Sequence, residues 1–240
     1  MTVTLEGSLF TDIVYGEKKF EKDVIKTAAG DLEIVFIGHA SLMMKYDGRT
    51  FHIDPFGELA DYSQLPRADL VLITHHHMDH LDPEAVNKVR SEDTTIILTE
   101  KSAEKLAGGT VMKNGDILTM CSIRIECIPA YNMVHKRANG TLFHPKGECN
   151  GYVLTFGNKR VYIAGDTENI PEMKTLTAID IAFLPMNLPY TMTPEMVADG
   201  AKAFMPRTLY PYHYGETNVM KLTELLKNDR EIEIRVRMMQ

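Results

Sequence analysis

Tryptophan is absent from the 240 residues, and cysteine is scarce: Cys121, Cys127 and Cys149 are an odd set with no CxxC spacing. That fits a reduced, cytoplasmic protein rather than a disulfide-stapled one. No apolar run approaches the roughly 18 residues of a membrane-spanning helix. The start, "MTVTLEGSLFTDIVYGEKKF", lacks a basic stretch leading into an apolar block, so no secretory leader is expected. Positive charge is in deficit, with 26 Lys and Arg against 33 Asp and Glu for a net −7. This argues against a nucleic-acid or anionic-membrane surface built on overall charge. Linkers rich in Pro, Gly or Ser, low-complexity tracts and long charge runs are all missing. One continuous domain over residues 1–240 is expected.

What is present is a chain that is 44% apolar, enough for a full core, with fifteen methionines, most of them in apolar runs where they act as gap-fillers. Met186, Met192 and Met196 belong to this group, as core or pocket wall. Short extended segments dominate the first half: "LEIVFIG", "SLMMKY", "RTFHID" and "ADLVLIT". Asp47-Gly48 makes "LMMKYDGRTFHID" a hairpin. A helix opens at Asp82 with Pro83 in its first position. Strand "TIILT" and helix "SAEKLAG", ending at Gly108-Gly109, follow. The second half rhymes with the first. "YVLTFGNKRVYIAGD" is again strand, turn, strand and aspartate, "IDIAFLP" matches "ADLVLIT", a helix opens at Thr193-Pro194, and "TLYPYHYG" is a strand ending in histidine. Strands followed by helices twice over imply two packed sheets with helices outside and polar clusters along one edge.

The chemistry concentrates in "LVLITHHHMDHLDP", where an apolar strand runs into four histidines and two aspartates. His75 and His77 project to one side of an extended segment, and the following turn brings Asp79 and His80 round. Imidazole and carboxylate are the ligands of borderline cations, and a catalytic site needs three of them plus an open position. A lone surface histidine means little; this density at the end of a buried strand means a metal site. "VYIAGDTE" delivers Asp166 to a strand end beside Gly165, where a turn cap and a two-cation bridge are both open. In "YPYHYG", His213 is either a bonded core histidine or a further ligand.

Together, His75-x-His77-x-Asp79-His80, a later histidine, Asp166 in "GD" and His213 resemble the metallo-β-lactamase superfamily. The similarity runs from "FIGHASLMM" and "HIDPF" through "LPMNLPYTMTPE" to "YPYHYG". These phrases are closer to the branch with lactonase-like and N-acyl-phosphatidylethanolamine-hydrolysing proteins than to the antibiotic-cleaving enzymes. The resemblance implies an α/β fold, a four-layer αββα sandwich of two mixed sheets flanked by helices. It implies one or two divalent metal ions at the strand edge; two are expected here, zinc first with manganese or iron fitting the same donors. His75, His77 and a later histidine would hold the first, Asp79, His80 and His213 the second, and Asp166 would bridge them. His76 has no role and is expected to point away.

The later histidine is open between His144 and His135, because relatives with "P-A-x-H-S" place it where this chain has Asn132. His144 is favoured, held between Phe143 and Pro145, while the loop around His135 reads as mobile. Asp54 could accept a hydrogen bond from a ligand histidine or simply cap a turn, and His39 could reach the pocket or be structural. Lys146, Asn187 and Tyr190 are candidate substrate contacts. The expected activity is hydrolysis of an ester, lactone or phosphoester by metal-activated hydroxide, oriented by Asp79. The alternatives are a phosphodiesterase or phospholipase-type hydrolase, a non-hydrolytic redox or metal-sensing member, and a binding-only member. A small-molecule substrate is expected, without nucleic acid or integral membrane association; a homo-oligomer is left open.

Overall fold

The computed structural model describes residues 11–240; the first ten, on which the leader-free start was partly read, lie outside the described residues. The first of two sheets carries, in chain order across the sheet, β1 (Thr11–Tyr15), β2 (Lys18–Thr27), β3 (Gly30–Gly38), β4 (Ser41–Tyr46), β5 (Arg49–Ile53), β6 (Leu70–Leu72), β7 (Thr95–Leu98) and β8 (Thr110–Val111). The second carries β9 (Ile117–Met120), β10 (Ile123–Ala130), β11 (Cys149–Phe156), β12 (Lys159–Ile163), β13 (Ile181–Pro185), β14 (Thr208–Tyr212) and β15 (Glu233–Ile234), also in chain order.

Each sheet begins antiparallel and becomes parallel, after β5 in one and after β12 in the other. Connection length explains the change. Asp47 and Gly48, with φ of 50° and 70°, close the β4–β5 hairpin in the geometry that follows strand twist. Parallel neighbours instead require crossovers. These carry α1 (Pro83–Val89), α2 (Glu100–Ala103), α3 (Pro171–Lys174), α4 (Pro194–Phe204) and α5 (Val219–Leu226). The expected helix starts are met: the Asp82 side chain accepts from the N–H groups of Glu84 and Ala85, and that of Thr193 from Met196 N–H.

Alternation along the strands sorts residues into layers. Ile34 and Phe36 of β3 and Leu70 and Leu72 of β6 join a large core shared with the second sheet. The intervening Val35, Ile37 and Val71 face a separate cluster under Ala85, Val86 and Val89 of α1. Phe36 meets Tyr210 at 5.2 Å between ring centroids and Phe51 meets Phe156 at 5.6 Å, joining the sheets through one tilted and one edge-to-face aromatic contact. Met43 and Met44 are wholly buried on opposite faces of β4, and Met186 and Met192 lie in the shared core. The architecture is the αββα sandwich.

One helix differs from expectation. The helix read over "SAEKLAG" is a single turn, Glu100–Ala103, because the Thr99 hydroxyl accepts from Ser102 N–H and starts it early. The chain then presses Gly109 against β7, where a Cβ would stand 2.5 Å from Leu98 Cδ2. Strands β1, β2, β9 and β10 had no counterpart among the segments picked out in the sequence; charged and apolar residues mix along β1, β2 and β10, and β9 is only four residues long. No helix among the described residues is long and apolar enough to cross a membrane.

Candidate metal centre

Because β3, β5 and β6 run in one direction, as do β12, β13 and β14 in the other sheet, their ends deliver polar residues in groups. His39 follows β3, Asp54 follows β5, "THHHMDH" follows β6, Asp166 follows β12, Asn187 follows β13 and His213 follows β14. The turns there are tight. His39, Asp54 and His213 all take positive φ, at 51°, 44° and 44°, a conformation uncommon for non-glycine residues that the packed strand ends hold in place. Gly165 (φ 64°) must lack a Cβ, which would sit 2.8 Å from the Asn150 carbonyl.

Two groups of ligand-type atoms converge. In the first, His75 Nε2 and His144 Nε2 lie 3.0 and 3.2 Å from His77 Nδ1. Tetrahedral ligands at metal–nitrogen bonds of about 2.0–2.1 Å stand roughly 3.3 Å apart, so the spacing matches the edges of a coordination shell. The second group is Asp79, His80 and His213, with His39 in addition. Asp166 lies between them: Oδ2 is 3.2 Å from His144 Nε2 and 3.9 Å from His75 Nε2, and Oδ1 is 3.4 Å from both His80 Nε2 and His213 Nε2. His76 is in neither group.

The donor set fits a cation. His80 Nε2, His213 Nε2 and Asp166 Oδ1 are buried, face one another, and make no hydrogen bond among the described residues. Each such orphan costs about 1–3 kcal/mol unless something pairs with it. Burial, reinforced by His80, drives His75 well below the usual imidazole range, and burial with His144 brings His77 down to about 4. Both are therefore neutral, with a lone pair free for a metal. His80 moves oppositely: burial would lower it, but Asp166, Asp54 and Asp79 push it up to about 10. Three carboxylates around one buried ring demand positive charge at that point.

Further residues hold the candidate ligands. Buried Asp54 accepts from Thr74 N–H at 2.7 Å, Thr74 Oγ1–H at 2.6 Å and His80 Nδ1–H at 2.8 Å, leaving His80 Nε2 to face the cluster. Asn132 does the same for His144: its Oδ1 accepts the His144 backbone N–H and Nδ1–H, both at 2.8 Å. The amide cannot flip, because Nδ2 donates to Glu168 Oε1 at 3.2 Å and to the Tyr190 carbonyl at 2.8 Å. Losing such a partner typically costs about 10–100-fold in metal affinity. Asp54→Asn is expected to do so in a calorimetric metal titration, and unchanged affinity in the folded variant would reduce Asp54 to a turn residue.

Glu168 organises the loop that leads to His144. Its buried carboxylate accepts the N–H groups of Met133, Val134 and His135 at 2.7–2.8 Å and His135 Nδ1–H at 2.8 Å. The expectation of a loose loop at His135 is thereby corrected: four donors anchor it to one buried charge, and the His135 ring is spent on Glu168 rather than joined to His75 and His77. Glu168→Gln sets an amide N–H against those donors. A loss of about 3 kcal/mol should lower the melting temperature by roughly 6–12 °C, and a calorimetric scan with no shift would contradict this role.

The remaining expected residues divide. His39 reaches the cluster, its Nε2 bonded to Asp79 Oδ2 at 3.0 Å and its ring 3.8 Å from that of His213. Asn187 and Tyr190 line a cleft of about 520 Å³ whose floor is His77, Asp79, His144, Asp166 and His213. Met78, Lys105, Arg137 and Phe143 complete its walls. Lys146 is not among the residues lining this cleft: Glu172 Oε1 binds its ammonium at 2.7 Å and the Tyr131 ring lies 4.7 Å beneath it. Asn132, Thr74, Glu168 and Lys105 had not been expected. Thr74 and Glu168 adjoin motif residues and could have been suspected, whereas Lys105 has no local signal.

Comparison with known proteins identifies the family. The family model described as the beta-lactamase superfamily domain matches residues 33–213. A UPF0173 metal-dependent hydrolase from Ligilactobacillus salivarius is 31% identical over 203 residues, covering 76% of this chain and 85% of that protein. Its counterpart from Enterococcus faecalis is 28% identical over 201 residues, covering 79% and 89%. A solved structure of a candidate metal-dependent hydrolase from Parabacteroides distasonis superposes with a TM-score of 0.88 at 51% identity, over 92% of this chain and all of that one. The match spans the strands that build the cluster, and the chain belongs to the metallo-β-lactamase superfamily as one of its metal-dependent hydrolases.

Proposed function

We propose that the cleft binds two divalent cations and hydrolyses an ester-type bond, in an ester, lactone or phosphoester, of a small molecule. His75, His77 and His144 would hold the first cation and Asp79, His80 and His213 the second, zinc being the first choice and manganese or iron the alternatives. The observation that carries the reading is Asp166, whose two oxygens each face a different group of imidazoles at 3.2–3.4 Å. Bound cations of this kind lower the pKa of a coordinated water toward about 7 and so supply hydroxide at neutral pH.

The chain's own residues then have separate tasks. Asp79, about one-third exposed toward the cleft and bonded to His39, orients the attacking water and can accept its proton. Asp54 and Asn132 keep His80 and His144 in single tautomers, so the donor atoms need not reorganise. Asn187 and Tyr190 face the space where substrate lies. The relatives named above are described by metal dependence, without a substrate. Elemental analysis should find two metal equivalents per chain, and the loaded protein should cleave members of a panel of aryl esters, lactones and phosphodiesters. One equivalent at saturation, or no turnover on any panel member, would overturn the reading.

A further inference from the structure

Lysines near the cleft mostly find carboxylates: Lys101 pairs with Glu148 at 2.8 Å and Lys146 with Glu172 at 2.7 Å. The two cations that line the cleft itself do not. Lys105 Nζ donates to the His76 carbonyl at 2.8 Å, and Arg137 touches the Phe143 carbonyl at 3.5 Å with its guanidinium 5.0 Å from that ring. Neither has a carboxylate within 4.0 Å among the described residues, in a chain whose acidic residues outnumber its basic ones 33 to 26.

They reach the cleft from opposite sheets. Lys105 follows α2, while Arg137 sits on a small hairpin between β10 and β11. That hairpin is built rather than loose: Arg137 N–H donates to the Thr141 carbonyl at 2.7 Å and Gly140 N–H to the Arg137 carbonyl at 2.9 Å. Beside Arg137, Phe143 and Tyr190 meet edge to face at 5.0 Å, and Met78 is 73% exposed. Both side chains are exposed where they line the cleft, free to meet an incoming anion.

We propose that Lys105 and Arg137 form an anion subsite holding a second acidic group of the substrate, a carboxylate or phosphate set apart from the bond that is cut. Phe143, Tyr190 and Met78 receive the apolar segment between the two. The substrate class is thus an acidic ester, lactone or phosphoester with a short apolar spacer. This rests on the cleft being the hydrolytic site proposed above.

Binding of uncleavable probes separates the two claims. Metal-loaded protein is titrated calorimetrically with linear monocarboxylates, with dicarboxylates of matched length from succinate to suberate, and with 3-phosphonopropionate. At least one two-headed probe should bind about tenfold more tightly than its monocarboxylate, as a charge-assisted contact allows. The preference should vanish in the Lys105→Ala/Arg137→Ala variant, whose metal content stays as in the parent. A rank order favouring the phosphonate assigns the subsite to phosphate, and one favouring a dicarboxylate assigns it to carboxylate. No preference in the parent protein, or the same preference in the variant, overturns the subsite. Because no turnover is needed, a preserved preference without hydrolysis on any substrate would sink the hydrolytic reading alone.

Discussion

Chelator-stripped protein is expected to melt about 8–16 °C below the metal-loaded form. The cluster explains the size. His75, His80, Asp166 and His213 are almost wholly buried, and Asp54, Asp79 and Asp166 crowd one imidazole. With cations present, the facing lone pairs and carboxylates are compensated; without them, buried polar atoms lose their partners. A ligand that binds only the folded state at a thousand times its Kd stabilises by about 4 kcal/mol, and a domain of this size shifts by about 2–4 °C for each kcal/mol. Differential scanning calorimetry before stripping, after it and after metal is returned measures the shift. Identical melting curves would mean that the cluster holds no metal in the folded protein.

His144→Ala should be the most damaging single change to function. It removes one of three nitrogens of the first group, and a lost ligand removes several kcal/mol of transition-state stabilisation, so turnover should fall on the order of a thousandfold. One metal equivalent should also be weakened. His135→Ala, by contrast, removes a ring whose bond is to Glu168; it should leave stoichiometry at two and cost stability instead. Inductively coupled plasma analysis of both variants, read beside turnover, checks the contrast. Two retained metals in His144→Ala with one lost in His135→Ala would hand the ligand role to His135.

The choice between these two histidines shows where sequence reading reached its limit. Stiffness between Phe143 and Pro145 pointed to His144, yet the constraint on its ring comes from Asn132, twelve residues away. The motif that the sequence resembles sets a histidine where this chain has Asn132, so from sequence alone that position reads as a gap. Only the fold shows that its amide is held by Glu168, and that the ring it orients comes from farther along the chain. Lys146 is placed by a distant partner in the same way: its nearness to the motif is visible in the sequence, while Glu172, which binds it, lies 26 residues on.

By itself the sequence determined the local and periodic features. The β4–β5 and β11–β12 hairpins, the starts of α1 and α4, the apolar runs that become β3 and β6, and the packing of donors into "THHHMDH" all follow from neighbours a few residues apart. Such features rest on backbone geometry and side-chain period, which are written in short windows. Tertiary structure decided what depends on contacts between distant segments. It determined which imidazole nitrogens face the cluster, set by Asp54 and Asn132. It determined where the carboxylate of Glu168 is spent, and which two cations stand over the cleft without a carboxylate. Those outcomes depend on two sheets closing face to face and bringing their strand ends to one edge, and no short window of residues contains that distance.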